Sequence, residues 1–134
     1  MSKQALFDKA YQAVVKQGRP SLRMGKNSSY RGENNCKCAI GHLLPDSIYE
    51  PWMEDLTIRS LWENSHPRNS AVRAFFSPMV SDVNFFVDLQ KAHDRATEIF
   101  IEKGGKKVAM FMAIFHSNMR KLARKHKLEK KYFG

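Results

Sequence analysis

Apolar residues recur three and four positions apart over much of this chain, the period of helices with one buried face. Leu6, Ala10, Ala13 and Val14, with Phe7 beside them, predict a first helix that Ser2 caps, Gly18 ends and Pro20 keeps from resuming. Residues 19–35, "RPSLRMGKNSSYRGENN", are rich in Gly, Ser and Asn and read as a loop. The stretch "CKCAIGHLL" reads as a short helix that stops before Pro45, because a residue preceding proline is pushed out of the helical region. Pro45-Asp46 then suits a new helix start, with proline early and a carboxylate near the positive end. "EDLTIRSLWENS" places Leu56, Ile58, Leu61 and Trp62 on one side, with Asp55 as candidate cap. "PRNSAVRAFFSP" is one or two turns bounded by Pro67 and Pro78. Ser81 is positioned to cap a long helix, roughly 82–103, with Phe85, Leu89, Ala92, Ala96, Ile99 and Phe100 along one stripe. Gly104-Gly105 break it. A last helix, about 106–126, has Val108, Phe111, Met112, Phe115, Met119 and Leu122 as its inner stripe.

Nothing alternates with period two for long enough to demand a sheet, although 28–40 leaves room for one short hairpin. The expectation is a mostly α protein: a compact single-domain bundle of about five or six helices over residues 1–134, ending in a basic helix and tail at about 106–134. The length fits one domain, and 43% hydrophobic residues with nine Phe suffice for a core. The longest apolar run, "VAMFMAIF", is far short of a membrane span, and "MSKQALFDKAYQ" carries charges where a signal peptide would be apolar. Both point to the cytoplasm, where the two cysteines, one residue apart and poorly placed to bridge, stay thiols.

Charge changes the picture. The net charge is +10, and ten of the 23 Lys and Arg fall in residues 103–134 against one of the 13 acids. Arg120, Lys121, Arg124, Lys125 and Lys127 follow one another with no acid among them, and Glu129 is the one acid at i+4, from Lys125, of the kind that neutralises ordinary surface helices. Lys106 and Lys107 precede them, Lys130 and Lys131 follow, and Tyr132 and Phe133 add aromatics. Such a field attracts nucleic-acid phosphates or an acidic protein face; a membrane surface fits less well, since the apolar side of this helix is needed for the core.

Four segments also carry a resemblance: "FDKAYQAVVKQG", "YRGENNCKCAIGHLLPDSIY", "FVDLQKAHD" and "LARKHKLE". In this order they resemble a group of small phage- or prophage-encoded bacterial proteins with a Y-R-G…K-C-A-[IV]-G-x-L-[IL]-P-D-x-x-Y motif and a later L-Q-x-x-H-D. On that pattern fall Tyr30, Arg31, Gly32, Cys38, Gly41, Pro45, Asp46, Tyr49, Leu89, Gln90, His93 and Asp94. The resemblance implies a setting, the bacterial host cytoplasm during phage infection, rather than a reaction. After Asp94 the chain departs from the pattern: relatives carry a short Pro/Trp segment before the last helix, and this chain has the longer, more basic "RATEIFIEKGGKKVAMFMAIF".

The sulfur-bearing stretch allows three chemistries. Cys36-x-Cys38-x₃-His42, completed by His66 or His93, supplies zinc ligands, but one intervening residue is a strained chelate and no second pair exists. Cys38 near a helix start could be an activated thiol with His93 as base. Asp94, pointing about 100° away on the helix, is then a poor orienter and Gln90 a better neighbour. The third reading is scaffold: Cys38, Ala39 and Ile40 as core, Gly41 admitting another helix, and Arg31 holding Asp46 or Asp94 to pin the loop. Scaffold is favoured, and no cofactor is called for. A binding protein follows, with nucleic acid or a nucleic-acid-associated host complex as first partner. Inhibition of a host defence or transcription protein through its acidic face is the alternative, and a Cys38/His93 enzyme or small zinc protein the second alternative. Oligomeric state is not written in the sequence.

Overall fold

The computed structural model describes residues 1–63 and 67–129 and, for 67–70, the backbone alone; His66, Lys130, Lys131, Tyr132 and Phe133 lie outside the described residues. The architecture is mostly α, as the periodicity predicts. Six helices are described: α1 (Lys3–Gln17), α2 (Ala39–Leu43), α3 (Ile58–Glu63), α4 (Pro67–Phe76), α5 (Val83–Glu102) and α6 (Val108–Lys125). Short 3₁₀ turns occupy Glu33–Asn35 and Pro51–Asp55. A two-stranded antiparallel hairpin, β1 (Leu22–Arg23) and β2 (Asn27–Ser28), pairs Leu22 with Ser28 and Arg23 with Asn27. It lies mostly upstream of the expected 28–40 window, reaching it at Ser28, and the rest of that window holds the isolated Arg31–Lys37 bridge. The hairpin is hidden in the sequence because its tight turn puts Met24 at φ 57°, a conformation normally signalled by Gly or Asn.

Local chemistry explains where the helices begin. Ser2 Oγ accepts the Ala5 N–H at 3.1 Å, and Gly18, at φ 76°, returns its N–H to Val14 O. α5 is capped by Asp82 rather than Ser81: its carboxylate accepts the Asn84 N–H at 2.9 Å and brings a full charge to the positive end. α3 is capped by Thr57 rather than Asp55, since Thr57 Oγ1 accepts the Ser60 N–H at 3.1 Å. Asp55 closes the preceding 3₁₀ turn and pairs with Arg23 at 3.1 Å. Pro45-Asp46 starts no helix but a single turn, closed by Tyr49 N–H to Pro45 O at 3.1 Å. Pro51 forces Glu50 into the extended region and stops it. α4 is longer than one or two turns, at ten residues.

One apolar cluster joins all six helices, through Phe7 and Tyr11, Ile40, Leu61, Phe76, Phe86 and Phe115 among others. The inner stripe of α6 runs from Phe111 to Leu122 and Ala123; Val108, in the first turn after the glycine pair, is 43% exposed and outside it. α5 and α6 form an antiparallel hairpin. Gly104 and Gly105 take φ 102° and 69°, and their N–H groups return to Ile101 O and Phe100 O, which ends α5 and reverses the chain. Two side chains fix the register: Asn118 Nδ2 donates to Ala92 O at 3.1 Å, and His126 Nε2 to Asp88 Oδ2 at 2.8 Å.

Gly41 is a point of close approach, though not to a helix. A Cβ there would lie 2.0 Å from the carbonyl oxygen of Tyr30, so it is the backbone after β2 that needs the space. Gly41→Ala is expected to destabilise the protein by about 2–4 kcal/mol in urea titrations, as overpacking against backbone does. Gly25→Ala, at φ 68° with no atom within 4 Å of the added methyl, should cost only about 1 kcal/mol.

Candidate functional site

Two regions gather polar side chains: an interior network where α5 meets the 19–49 segment, and a cationic groove between α5 and α6. The interior network centres on His93, which is fully buried. Its Nε2 accepts the Ser21 N–H at 3.0 Å, so the ring proton sits on Nδ1 and is donated to Asp94 Oδ1 at 2.8 Å. Asp94 therefore does orient this imidazole, contrary to the helical-angle argument. The bonds leaving the two α-carbons diverge, but two side-chain torsions each let adjacent residues turn toward one another. Gln90 is engaged elsewhere: Nε2 donates to Tyr30 Oη at 2.9 Å and Oε1 accepts the Ile58 N–H at 2.8 Å. Tyr30 passes its own proton to Leu56 O at 2.7 Å.

Glu54, which sequence reasoning missed, closes the network. Its two oxygens accept the N–H groups of Tyr30 and Arg31 at 2.9 and 3.1 Å, and Tyr49 Oη donates at 2.6 Å. Burial first, and then this bond to Glu54, push the Tyr49 hydroxyl up to about 12. Arg31 reaches Asp46 at 2.6 Å and Leu44 O at 3.0 Å, with its guanidinium 4.4 Å from the Tyr49 ring centre. Of the two acids expected to hold Arg31, Asp46 is the partner. Gly32 also belongs to this packing, since a Cβ there would sit 2.4 Å from Leu22 O. Tyr30, Cys38, Glu54, Gln90 and Asp94 line a polar cavity of about 160 Å³.

The cysteines point apart. Cys38 caps α2, its Sγ accepting the Gly41 N–H at 3.3 Å, and is 1% exposed. Burial pushes its thiol far up, and the Asp94 charge adds to that, so the helix start does not yield a thiolate. With both ring nitrogens of His93 committed to Ser21 and Asp94, no Cys38–His93 dyad is formed. Cys36 Sγ instead accepts from Arg19 Nε at 3.4 Å, and His42 Nε2 donates to Gln17 Oε1 at 3.0 Å. Cys36, Cys38 and His42 thus serve three separate contacts, and no group of three or more potential ligands converges among the described residues.

The groove between α5 and α6 is open, about 190 Å³, floored by Ala92 and Leu122 and lined by Asp88, Lys91, Arg95, Asn118, Lys121 and Lys125. Lys91 and Arg95 come from α5, so the cationic surface is not confined to the C-terminal quarter. Sequence reasoning missed them, although their i,i+4 spacing on the polar side of a long helix was the available signal. Arg120, Arg124 and Lys127 are exposed but do not line the groove, and Arg120 lies near Tyr11 of α1 and His116. Lys125 is not without an acid, as it pairs with Asp88 across the groove at 2.9 Å. Burial raises the Asp88 carboxyl, but the hydrogen bonds from His126 and Lys125 outweigh it and hold it below the usual carboxylate range. Lys106 and Lys107 do not join this surface. They precede the other end of α6, roughly 20 Å from Lys121 at 1.5 Å per residue, and Lys106 lines a separate hollow with Arg19 and Glu33.

Helix electrostatics does not account for these positions. The macrodipole favours cations in a last helical turn, which covers Arg124 and Lys125 but not Lys91 and Arg95 in the middle of α5. No helix among the described residues is long and apolar enough to cross a membrane. Comparison of the chain with protein families, with curated proteins and with solved structures finds no match in any of the three.

Two outcomes are expected. Burial first, and then the Lys37 charge, hold the His42 imidazole down at about 4 from an ordinary 6.5. The unfolded chain therefore binds a proton that the native state refuses, and stability falls as pH drops from about 6.5 toward 4. His42→Gln should flatten that fall in melting curves taken across the range. Cys38 should resist iodoacetamide in the native protein and react only on unfolding, read by intact mass; rapid native labelling would contradict the buried, high-pKa thiol.

Proposed function

We propose that this protein acts by binding, as a small phage-type accessory protein of the bacterial cytoplasm, with nucleic acid or a nucleic-acid-associated complex as partner. The observation that carries the reading is the mostly cationic groove between α5 and α6. Lys91, Arg95, Arg120, Lys121, Arg124 and Lys127 are exposed, and Asp88 is the one acid that lines the groove. Lysine and arginine at this density neutralise phosphates, release counterions and give sequence-tolerant, salt-sensitive affinity. The interior network is read as scaffold. Its histidine, glutamate and glutamine are spent on holding backbone and tyrosine groups, and its thiol is a buried cap.

A second reading is inhibition of a host protein through an acidic face. It is favoured by one observation, that the partner these cations take within the chain is a carboxylate, Asp88. A pull-down from expressing bacterial cells after nuclease treatment separates the two readings. A stoichiometric protein retained without nucleic acid selects the inhibitor.

For the first reading, fluorescence anisotropy with labelled oligonucleotides should give affinity that falls linearly with the logarithm of salt concentration. Reversing Arg120, Lys121, Arg124 and Lys125 to Glu should abolish binding at moderate salt while leaving the helical circular dichroism intact. Undiminished binding by that variant would exclude the surface.

A further inference from the structure

Antiparallel packing does more than collect cations between α5 and α6; it orders them. The Asn118–Ala92 and His126–Asp88 contacts set Lys91 level with Lys121 and Asp88 level with Lys125. Arg95 lies one helical turn beyond Lys91, on the side away from Asp88. Along the groove the basic positions are therefore Arg95, then Lys91 with Lys121, then Lys125 with His126, each about 5–6 Å from the last. A sugar-phosphate strand also presents its charge as a regular row, one phosphate per nucleotide.

Asp88 sits at one end of this ladder. Its Oδ2 receives both the Lys125 ammonium, at 2.9 Å, and the His126 ring N–H, at 2.8 Å. A single anionic oxygen held by two donors is what a backbone phosphate oxygen would offer. The His126 side chain is only 6% exposed and its ring meets Phe85 edge-on at 5.4 Å, so this end is built into the core rather than left as loose surface charge. Lys91, Arg95 and Lys121 show no ion-pair partner among the described residues.

We propose that the α5–α6 groove seats consecutive phosphates of one nucleic-acid strand, and that Asp88 is a built-in competitor holding Lys125 and His126 where a phosphate would otherwise be held. This rests on the nucleic-acid reading above and assigns it a track and a restraint. The carboxylate weakens binding at one end and biases the ladder toward ligands with enough consecutive phosphates to engage the remaining rungs.

The test uses the full chain, with an oligothymidylate about 20 nucleotides long and a duplex of equal length, across a salt series. Asp88→Asn keeps the shape and removes the charge, and is expected to raise affinity severalfold. Lys91→Ala with Arg95→Ala, both on exposed positions, should lower affinity about tenfold and reduce the log–log salt slope by about two. Lys106→Ala with Lys107→Ala should change little. Stronger binding by the single strand or by the duplex identifies which source of the backbone the groove accepts. A folded Asp88→Asn protein with unchanged or weaker affinity overturns the competitor. If Lys91→Ala with Arg95→Ala binds as wild type while Arg120→Glu with Arg124→Glu does not, the groove is wrong and the nucleic-acid reading survives. Binding of neither oligonucleotide by the wild-type protein overturns both.

Discussion

Burial of one apolar seam between α5 and α6 forces like charges into company. Phe111, Phe115, Met119 and Leu122 on one helix pack with Leu89, Ala96 and Phe100 on the other into the shared core. Each large side chain so buried contributes about 1.5–3 kcal/mol. Repulsion between two solvated cations is about 1 kcal/mol at close range and less in salt. The seam wins easily, so the fold tolerates a cationic groove that it does not require. The groove is mostly cationic, with Asp88 the one acid among the residues that line it.

The remainder of the fold holds α5 in position for that arrangement. The 19–49 segment has little regular structure, and its backbone groups depend on side chains for partners. His93 takes the Ser21 N–H, Glu54 takes those of Tyr30 and Arg31, and Gln17 takes that of Lys37 at 2.8 Å. Leaving such buried donors unpaired would cost roughly 1–3 kcal/mol each, which makes these polar residues as structural as the phenylalanines. In this cluster His93 binds Ser21 and Asp94, Cys38 accepts the Gly41 N–H, and Glu54 holds Tyr30, Arg31 and Tyr49.

Much of this was legible in the sequence, for identifiable reasons. The long helices announced themselves because their apolar stripes repeat for three or more turns, and the Ser2 and Gly18 ends of α1 follow from short-range chemistry. Cys38 as interior scaffold was legible from its small, apolar neighbours. Other features depend on contacts distant in sequence. Glu54 looks like one acid among several until the Tyr30 backbone is folded over it. Lys91 and Arg95 look like ordinary solvated charge until α6 lies alongside. The pairing of Lys125 with Asp88 bridges two helices and no i+4 rule reveals it. The Met24 turn and the single turn at Pro45 were obscured for another reason: residue preference at a turn is weak when tertiary packing sets the backbone.

Amine-reactivity footprinting with and without a bound oligonucleotide addresses the groove most directly, because it reads each lysine in the intact protein. Protection of Lys91, Lys121 and Lys125 together, with Lys106 and Lys107 as reactive as in the free protein, is the expected result. Equal reactivity of all five with and without nucleic acid, or protection confined to Lys106 and Lys107, would contradict it.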